Sequence, residues 1–253
     1  MHWWRTVLLA ILLLCLVAIV AAYAASDLKL VPTDRIPAAS GSVRVSGDAV
    51  DVRLDGMKPA LLFGGDYNTY ILWVVSPDGE TRNEGEFVIE GDRSRVLIST
   101  TLRTFGILVT AEPHYRVTAP SRFVVLQNEV HGEEFRKISY RTSETPYHYE
   151  RDTLDDALAA KGKVRTDVHQ ALAAFRLAQR AHAEKYLGTE FEIIRQALDR
   201  TLRLAREKGT AEEIRVAARE TVELASAAER LLREGALARQ ADAASLNKGG
   251  AFK

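Results

Sequence analysis

The spacing of apolar residues changes part-way along this chain, from every second residue to every third or fourth, and that change limits what each part can fold into. Ser42-Val43-Arg44-Val45-Ser46 and Val50-Asp51-Val52-Arg53-Leu54 alternate apolar with polar side chains, the signature of half-buried strands. Tyr70-Ile71-Leu72-Trp73-Val74-Val75 is apolar at every position and predicts a central strand buried on both faces. Pro77-Asp78-Gly79 then turns the chain, since Pro presets one turn torsion and Gly tolerates the left-handed one. Further strand patterns follow at 86–90, 95–100 and 105–111, and Phe123-Val124-Val125-Leu126 is the last. About seven short strands in such a span predict an antiparallel, immunoglobulin-like β-sandwich.

Beyond residue 150 the period is helical. Val164, Val168, Ala171, Phe175 and Ala178 form one stripe. Phe191, Ile194, Leu198, Leu202 and Ala205 form a second, and Ile214, Ala217, Thr221, Leu224, Ala228 and Leu231 a third. Leu187-Gly188-Thr189 and Lys208-Gly209-Thr210 separate them with a stop glycine and a capping threonine. Three helices are expected, near 154–186, 190–207 and 211–241, packed as an antiparallel three-helix bundle. The fold class is therefore α+β in separate domains. The alanines in the stripes imply close helix approach, a thin core and a seam suited to self-association, as in coiled coils. This half is similar to short alanine-rich helical domains of unknown function in bacterial envelope proteins.

The start of the chain carries an address. Met1-His2-Trp3-Trp4-Arg5 leads into an apolar run over 7–20 that ends in Ala22-Tyr23-Ala24. A basic start, an apolar block and an A-x-A ending form a secretory signal peptide. The rival reading is an uncleaved anchor, because residues 7–25 approach the length that spans a bilayer. The single cysteine, Cys15, follows Leu12-Leu13-Leu14, and a bulky Leu stands where a lipoprotein signal needs a small residue. The expected organisation is a signal peptide or anchor at 1–24, a linker at 25–41 and a β-sandwich domain at 42–128. A second linker at 129–152, an alanine-rich helical domain at 153–245 and a flexible tail at 246–253 complete it.

Several elements of the strand-rich half occur together in one known domain. Asn68-Thr69-Tyr70-Ile71-Leu72-Trp73, Pro77-Asp78-Gly79 and Gly85-Glu86-Phe87 are followed by Phe105-Gly106-Ile107-Leu108-Val109-Thr110-Ala111-Glu112-Pro113 and Pro120-Ser121. Over 60–127 the chain resembles the extracytoplasmic β-domain of anti-sigma-K-type factors. That domain also occurs in uncharacterised envelope proteins, some of which carry a peptidoglycan-binding OmpA-like module. The resemblance implies a β-domain placed outside the cytoplasm. Anti-sigma factors carry a sigma-binding region ahead of their membrane helix, where this chain has Met1-His2-Trp3-Trp4-Arg5. The sigma-inhibiting role is therefore not expected to carry over.

No pattern of catalytic chemistry emerges. Phe63-Gly64-Gly65-Asp66 is a turn without the Lys-Ser of a phosphate loop, and His131-Gly132-Glu133-Glu134 lacks the second histidine of a zinc helix. His169 and His182 are too far apart on one helix to share an ion, and Asp155-Asp156 suits a helix N-terminus. No catalytic residue, cofactor or metal ligand is assigned. Acids and bases balance at 34 each, so no global field favours nucleic acid. The candidate interaction surface comprises Tyr67, Tyr70 and Trp73, read first as core and alternatively as a carbohydrate-stacking platform. Arg200, Arg203 and Arg206 join it as a basic helix end that could meet lipid or peptidoglycan. The expected function is that of a non-enzymatic, exported periplasmic structural or interaction protein, whose partners are envelope proteins or a second copy. The alternatives are a membrane-anchored sensor or regulator related to anti-sigma factors and a carbohydrate-binding module.

Cleavage after Ala24 predicts a mature N-terminus at Ala25, read by mass spectrometry of the envelope fraction. Recovery of intact Met1 there would instead favour the anchor.

Overall fold

The computed structural model describes residues 26–128, 139–155, 157 and 165–249. The signal or anchor segment at 1–24 and the stretch His131-Gly132-Glu133-Glu134 lie outside these residues. The described residues include eight strands: β1 Ser26–Pro32, β2 Ser40–Ser46, β3 Ala49–Asp55, β4 Thr69–Val75, β5 Thr81–Phe87, β6 Ser94–Ser99, β7 Gly106–Glu112 and β8 Val124–Asn128. They form one antiparallel sheet in the order β5-β4-β7-β8-β1-β2-β3-β6. The two end strands, β5 and β6, come back into contact, so the sheet is nearly closed and barrel-like. Four helices follow among the described residues, and the class is α+β.

The expected linker at 25–41 is corrected: its first part is β1, held between β8 and β2. Leu28 and Leu30 share one face of the strand, exposed near its start and buried where it lies between its two neighbours. Pro32 ends the strand, and Pro37 lies in the turn beyond it. Both positions suit proline, which is tolerated at strand ends and in turns.

Inside the barrel lie Leu30, Val43, Val50, Val52, Leu54, Tyr70, Leu72, Val74, Val109 and Val125, with Phe63 and Phe123 at one end. Strand β4 is buried at all seven positions. Tyr70, Leu72 and Val74 face the interior, while Ile71, Trp73 and Val75 form a separate outer cluster with Leu108 and Val117. A strand apolar on both faces requires a cover on its outer side. Here the cover is the segment after β7, with Tyr115 and Tyr140 packed against the same cluster.

The second expected linker, 129–152, is also corrected where it is described. From 139 onward it has no regular structure, yet it is fastened across the sheet. The Ser143 amide donates to the Pro120 carbonyl, and the Glu150 and Arg151 amides both donate to the Phe63 carbonyl. Leu154, expected to begin a helix, is 1% exposed within the barrel core. Lys58 Nζ donates to its carbonyl at 2.6 Å, so Asp155 stands beside a docked loop rather than at a helix N-terminus.

The helices are α1 Thr166–Arg180, the short α2 Ala183–Tyr186, α3 Gly188–Arg206 and α4 Ala211–Gly249. The first expected helix is thus shorter and interrupted, with His182 in the left-handed region at φ 63°. Gly188 opens α3 instead of closing its predecessor. Thr210 and Glu213 form a reciprocal cap at the start of α4, each side chain meeting the other's backbone amide. That helix runs on to Gly249, into the expected flexible tail. Helices α1, α3 and α4 pack against one another, and seven of the eleven residues in their buried cluster are alanine. Small side chains set the close approach, and Phe191, Ile194, Leu198 and Val222 supply the remaining bulk. Val164, in the first stripe, lies outside the described residues. Among the described residues no helix is long and apolar enough to cross a membrane.

Because Leu154 fills the barrel core from outside the sheet, Leu154→Ala is expected to destabilise the protein by about 2–5 kcal/mol in urea unfolding. A loss under about 1 kcal/mol, the range of volume-conserving changes, would show that the segment is not docked.

Candidate functional site

The predicted site residues are not brought together. Tyr67, Tyr70 and Trp73 are 4%, 1% and 0% exposed, which corrects the reading of these rings as a stacking platform. Tyr70 points into the barrel, where its hydroxyl donates to the Lys58 carbonyl, whereas Trp73 faces the outer cluster. Tyr67 packs against Phe63, Phe123, Tyr147 and Tyr149. Arg200, Arg203 and Arg206 lie exposed along the end of α3, and Arg200 pairs with Glu220 of α4 at 3.1 Å.

What the structure does assemble is a polar seam between the outer face of the sheet and the helices. It begins with a buried relay in which Trp73 Nε1 donates to Thr110 Oγ1 at 2.8 Å. Thr110 Oγ1 donates to Glu112 Oε1 at 2.5 Å, and the Ser121 amide donates to the same oxygen at 2.6 Å. Ser121 Oγ donates to the Ala111 carbonyl, which fixes the chain after β7 back onto its own strand. Glu112 is fully buried, and burial pushes its carboxyl up to about 8 although the Ser121 and Thr110 hydrogen bonds favour the anion. Its Oε2 has no partner among the described residues.

Next along the seam is Tyr115, which packs against both the outer sheet cluster and the helix core. Its amide donates to Gln170 Oε1 of α1 at 2.9 Å, its hydroxyl to Glu223 of α4 at 3.2 Å, and its carbonyl accepts from Asn83 of β5. The Arg219 guanidinium sits 4.4 Å over its ring, a favourable cation–π placement. Arg219 also reaches Glu86 Oε2 of β5 at 2.8 Å, while Glu86 Oε1 accepts from Thr69 and Gln170. One carboxylate thus ties β4, β5, α1 and α4.

A second tie lies at the Phe63-Gly64-Gly65-Asp66 turn. Asp66 is buried, accepts from the His148 amide at 3.0 Å and pairs with Arg180 of α1 at 2.7 Å. Burial alone would raise its carboxyl. The His148 amide, Arg180 and Arg176 outweigh that and hold it below the usual carboxylate range. Gly65, at φ 65°, leaves only 2.3 Å between an added Cβ and the His148 carbonyl, so a side chain there would push this segment away.

Beside the seam His114 is 1% exposed, its Nδ1 accepting from the Arg116 amide and its Nε2 without a partner among the described residues. Burial, with the charges of Arg233 and Arg116, pushes it down to about 3. It lines a cavity of about 10 Å³ with Tyr147, Glu229 and Arg233. Adjoining this is an open cleft of about 660 Å³ bounded by residues 81–86 of β5, residues 115–118, Arg219 and Arg230. Among the described residues no group of three His, Cys, Asp or Glu side chains is placed to hold a metal ion. His169 and His182 are both exposed.

Compared with known protein families, with curated proteins and with solved structures, the chain finds no match in any of the three.

Glu112 ends β7, and neither its burial nor the roles of Glu86, Gln170 and Arg219 at the seam follow from the apolar periodicity. One signal was available for Gln170. It lies beside Val168 and Ala171 on the buried side of a helix, where an amide needs partners.

Glu112 and His114 pull pH dependence in opposite directions. A carboxyl raised on folding contributes stability that is full below its ordinary pKa, near 4.5, and declines as pH rises through about 8. A histidine lowered on folding contributes stability above about 6.5 that is lost as pH falls towards 3. Between 6.5 and 8 only the first operates. Glu112→Gln, which keeps the shape and removes the titration, should flatten the fall in unfolding free energy across that interval, measured by denaturant titration at several pH values.

Proposed function

We propose that this chain is a non-enzymatic, exported cell-envelope protein that works by holding partners rather than by transforming a substrate. On this reading the barrel-like sheet is an immunoglobulin-like sandwich related to the extracytoplasmic domain of anti-sigma-K-type factors. Helices α1, α3 and α4 form the three-helix bundle it carries. The observation that carries the reading is the fate of the residues behind that resemblance. Thr69, Trp73, Thr110, Glu112 and Ser121 are all buried, and each is engaged in hydrogen bonds that close the sheet or fasten its cover. Groups committed to one another in this way stabilise an architecture rather than standing ready to react with a substrate. The seam then sets the helices at a defined place on the sheet, as a presenting scaffold requires.

Self-association through the helices is the partner mode that the thin core supports. A cluster built largely of alanine buries few methylenes, each contributing about 0.8 kcal/mol, so further contact would add stability. Ile193, Val216 and Leu231 are exposed large apolar residues on α3 and α4.

Two measurements test the reading. Fractionation should place the protein outside the cytoplasm, and sedimentation of the mature chain should show a concentration-dependent dimer or larger species. Recovery in the cytoplasm would remove the envelope role. A strict monomer with a concentration-independent melting temperature would remove self-association and leave a heterologous envelope partner.

A further inference from the structure

The open cleft beside β5 has properties the scaffold reading does not use. It is lined by consecutive residues of one strand, 81–86, which belong to both faces of the sheet. A run of consecutive residues can line a cleft only when the edge of the strand, rather than one face, is turned towards it. Strand β5 is the end of the sheet order and hydrogen-bonds in a ladder only to β4; β6 approaches it without pairing, so the closure of the barrel leaves the ladder of this edge unfilled. Such an edge presents backbone donors and acceptors able to accept another strand.

The walls are cationic. Arg82, Arg116, Arg219 and Arg230 line the cleft against two carboxylates, Glu84 and Glu86. Arg82 is paired with Glu84 and Arg219 with Glu86. Arg116 and Arg230 have no carboxylate at ion-pair distance among the described residues, and both also border the His114 cavity next door. Two unpaired guanidinium groups on one side of a strand edge match an anionic chain running along that edge. Six residues of β5 span roughly 20 Å, room for a similar length of extended peptide.

We infer that this cleft binds an extended acidic peptide segment, added as a strand to the edge of β5 with alternate carboxylates facing Arg116 and Arg230. Backbone pairing supplies the direction, as in other strand-addition complexes, and the arginines select for negative charge. Arg is suited to this because its fixed fork of donors fits a carboxylate in two places at once. The inference deepens the interaction-protein reading and rests on it. It names a partner chemistry for one surface, whereas self-association concerns the helices.

The test is fluorescence anisotropy with the mature chain and a labelled, N-acetylated octapeptide alternating Glu with Thr. Saturable binding that weakens with added salt is expected. The Gln-for-Glu peptide, and a peptide N-methylated at alternate amides, should each bind at least about tenfold more weakly. Arg116→Ala with Arg230→Ala should reduce affinity for the Glu peptide by a similar factor while the melting temperature stays unchanged. Arg116→Glu with Arg230→Glu should reverse the preference towards a Lys-Thr peptide, a gain that misfolding could not produce. Absence of saturable binding, equal binding of the Gln peptide, or indifference to the arginine variants would overturn the inference. So would full affinity for the N-methylated peptide, which would show attraction without strand pairing. Each of these failures leaves the envelope reading intact, since that reading is decided by fractionation and sedimentation.

Discussion

Seven consecutive side chains of β4, from Thr69 to Val75, are withdrawn from water on both faces of the sheet, and much of the remaining structure follows from that demand. The inner face is served by barrel closure, which turns Tyr70, Leu72 and Val74 towards Val43, Val52 and Val125. The outer face cannot be served by the sheet itself. It is covered by the chain that leaves β7, with Val117 and Tyr115 laid over Ile71, Trp73 and Val75. Buried area of this kind contributes roughly 25 cal/mol per Å², and a Trp is the largest single contributor available.

A cover laid over a sheet also buries polar atoms, and each of these needs a partner. The Trp73 indole, the Thr110 hydroxyl, the Glu112 carboxyl and the Ser121 amide meet that need among themselves. Glu86 and Asp66 do so across to the helices, through Gln170, Arg219 and Arg180. Partly buried ion pairs of this sort add little net stability, because desolvation offsets attraction. Their effect is on placement: a helix shifted along the sheet would leave Glu86 or Asp66 buried and unpaired. The orientation of the helices is thereby specified more sharply than an alanine-rich contact alone would achieve.

The strands were legible wherever the alternation was strong. Val43, Val45, Val50 and Val52 announce β2 and β3, and the unbroken run at 70–75 announces a strand with no wet face. The helical stripes likewise place Phe191, Ile194 and Leu198 inside. Failures came where local cues competed. Pro32 and Pro37 hid β1, although Leu28 and Leu30 alternate. The polar, proline-containing stretch ahead of Leu154 hid a segment that is docked without being regular. Tyr67, Tyr70 and Trp73 read first as core and alternatively as a surface platform, because an aromatic ring serves either and only burial separates the two.

What the sequence by itself determined was the division into a β-rich part and a helical part, the identity of the doubly buried strand and the apolar stripe of each long helix. These are properties of period, and period is local: neighbouring residues along the chain suffice to define it. It took the assembled fold to show that β1 completes the sheet, that Glu112, at the end of β7, is also a buried hydrogen-bonded link, and that Glu86 meets α1 and α4. The helical partners of Glu86 are 84 and 133 residues distant along the chain. No spacing rule connects such positions. They meet because closing the barrel and covering β4 bring Glu86 beside Gln170 and Arg219 of the helices packed on the sheet.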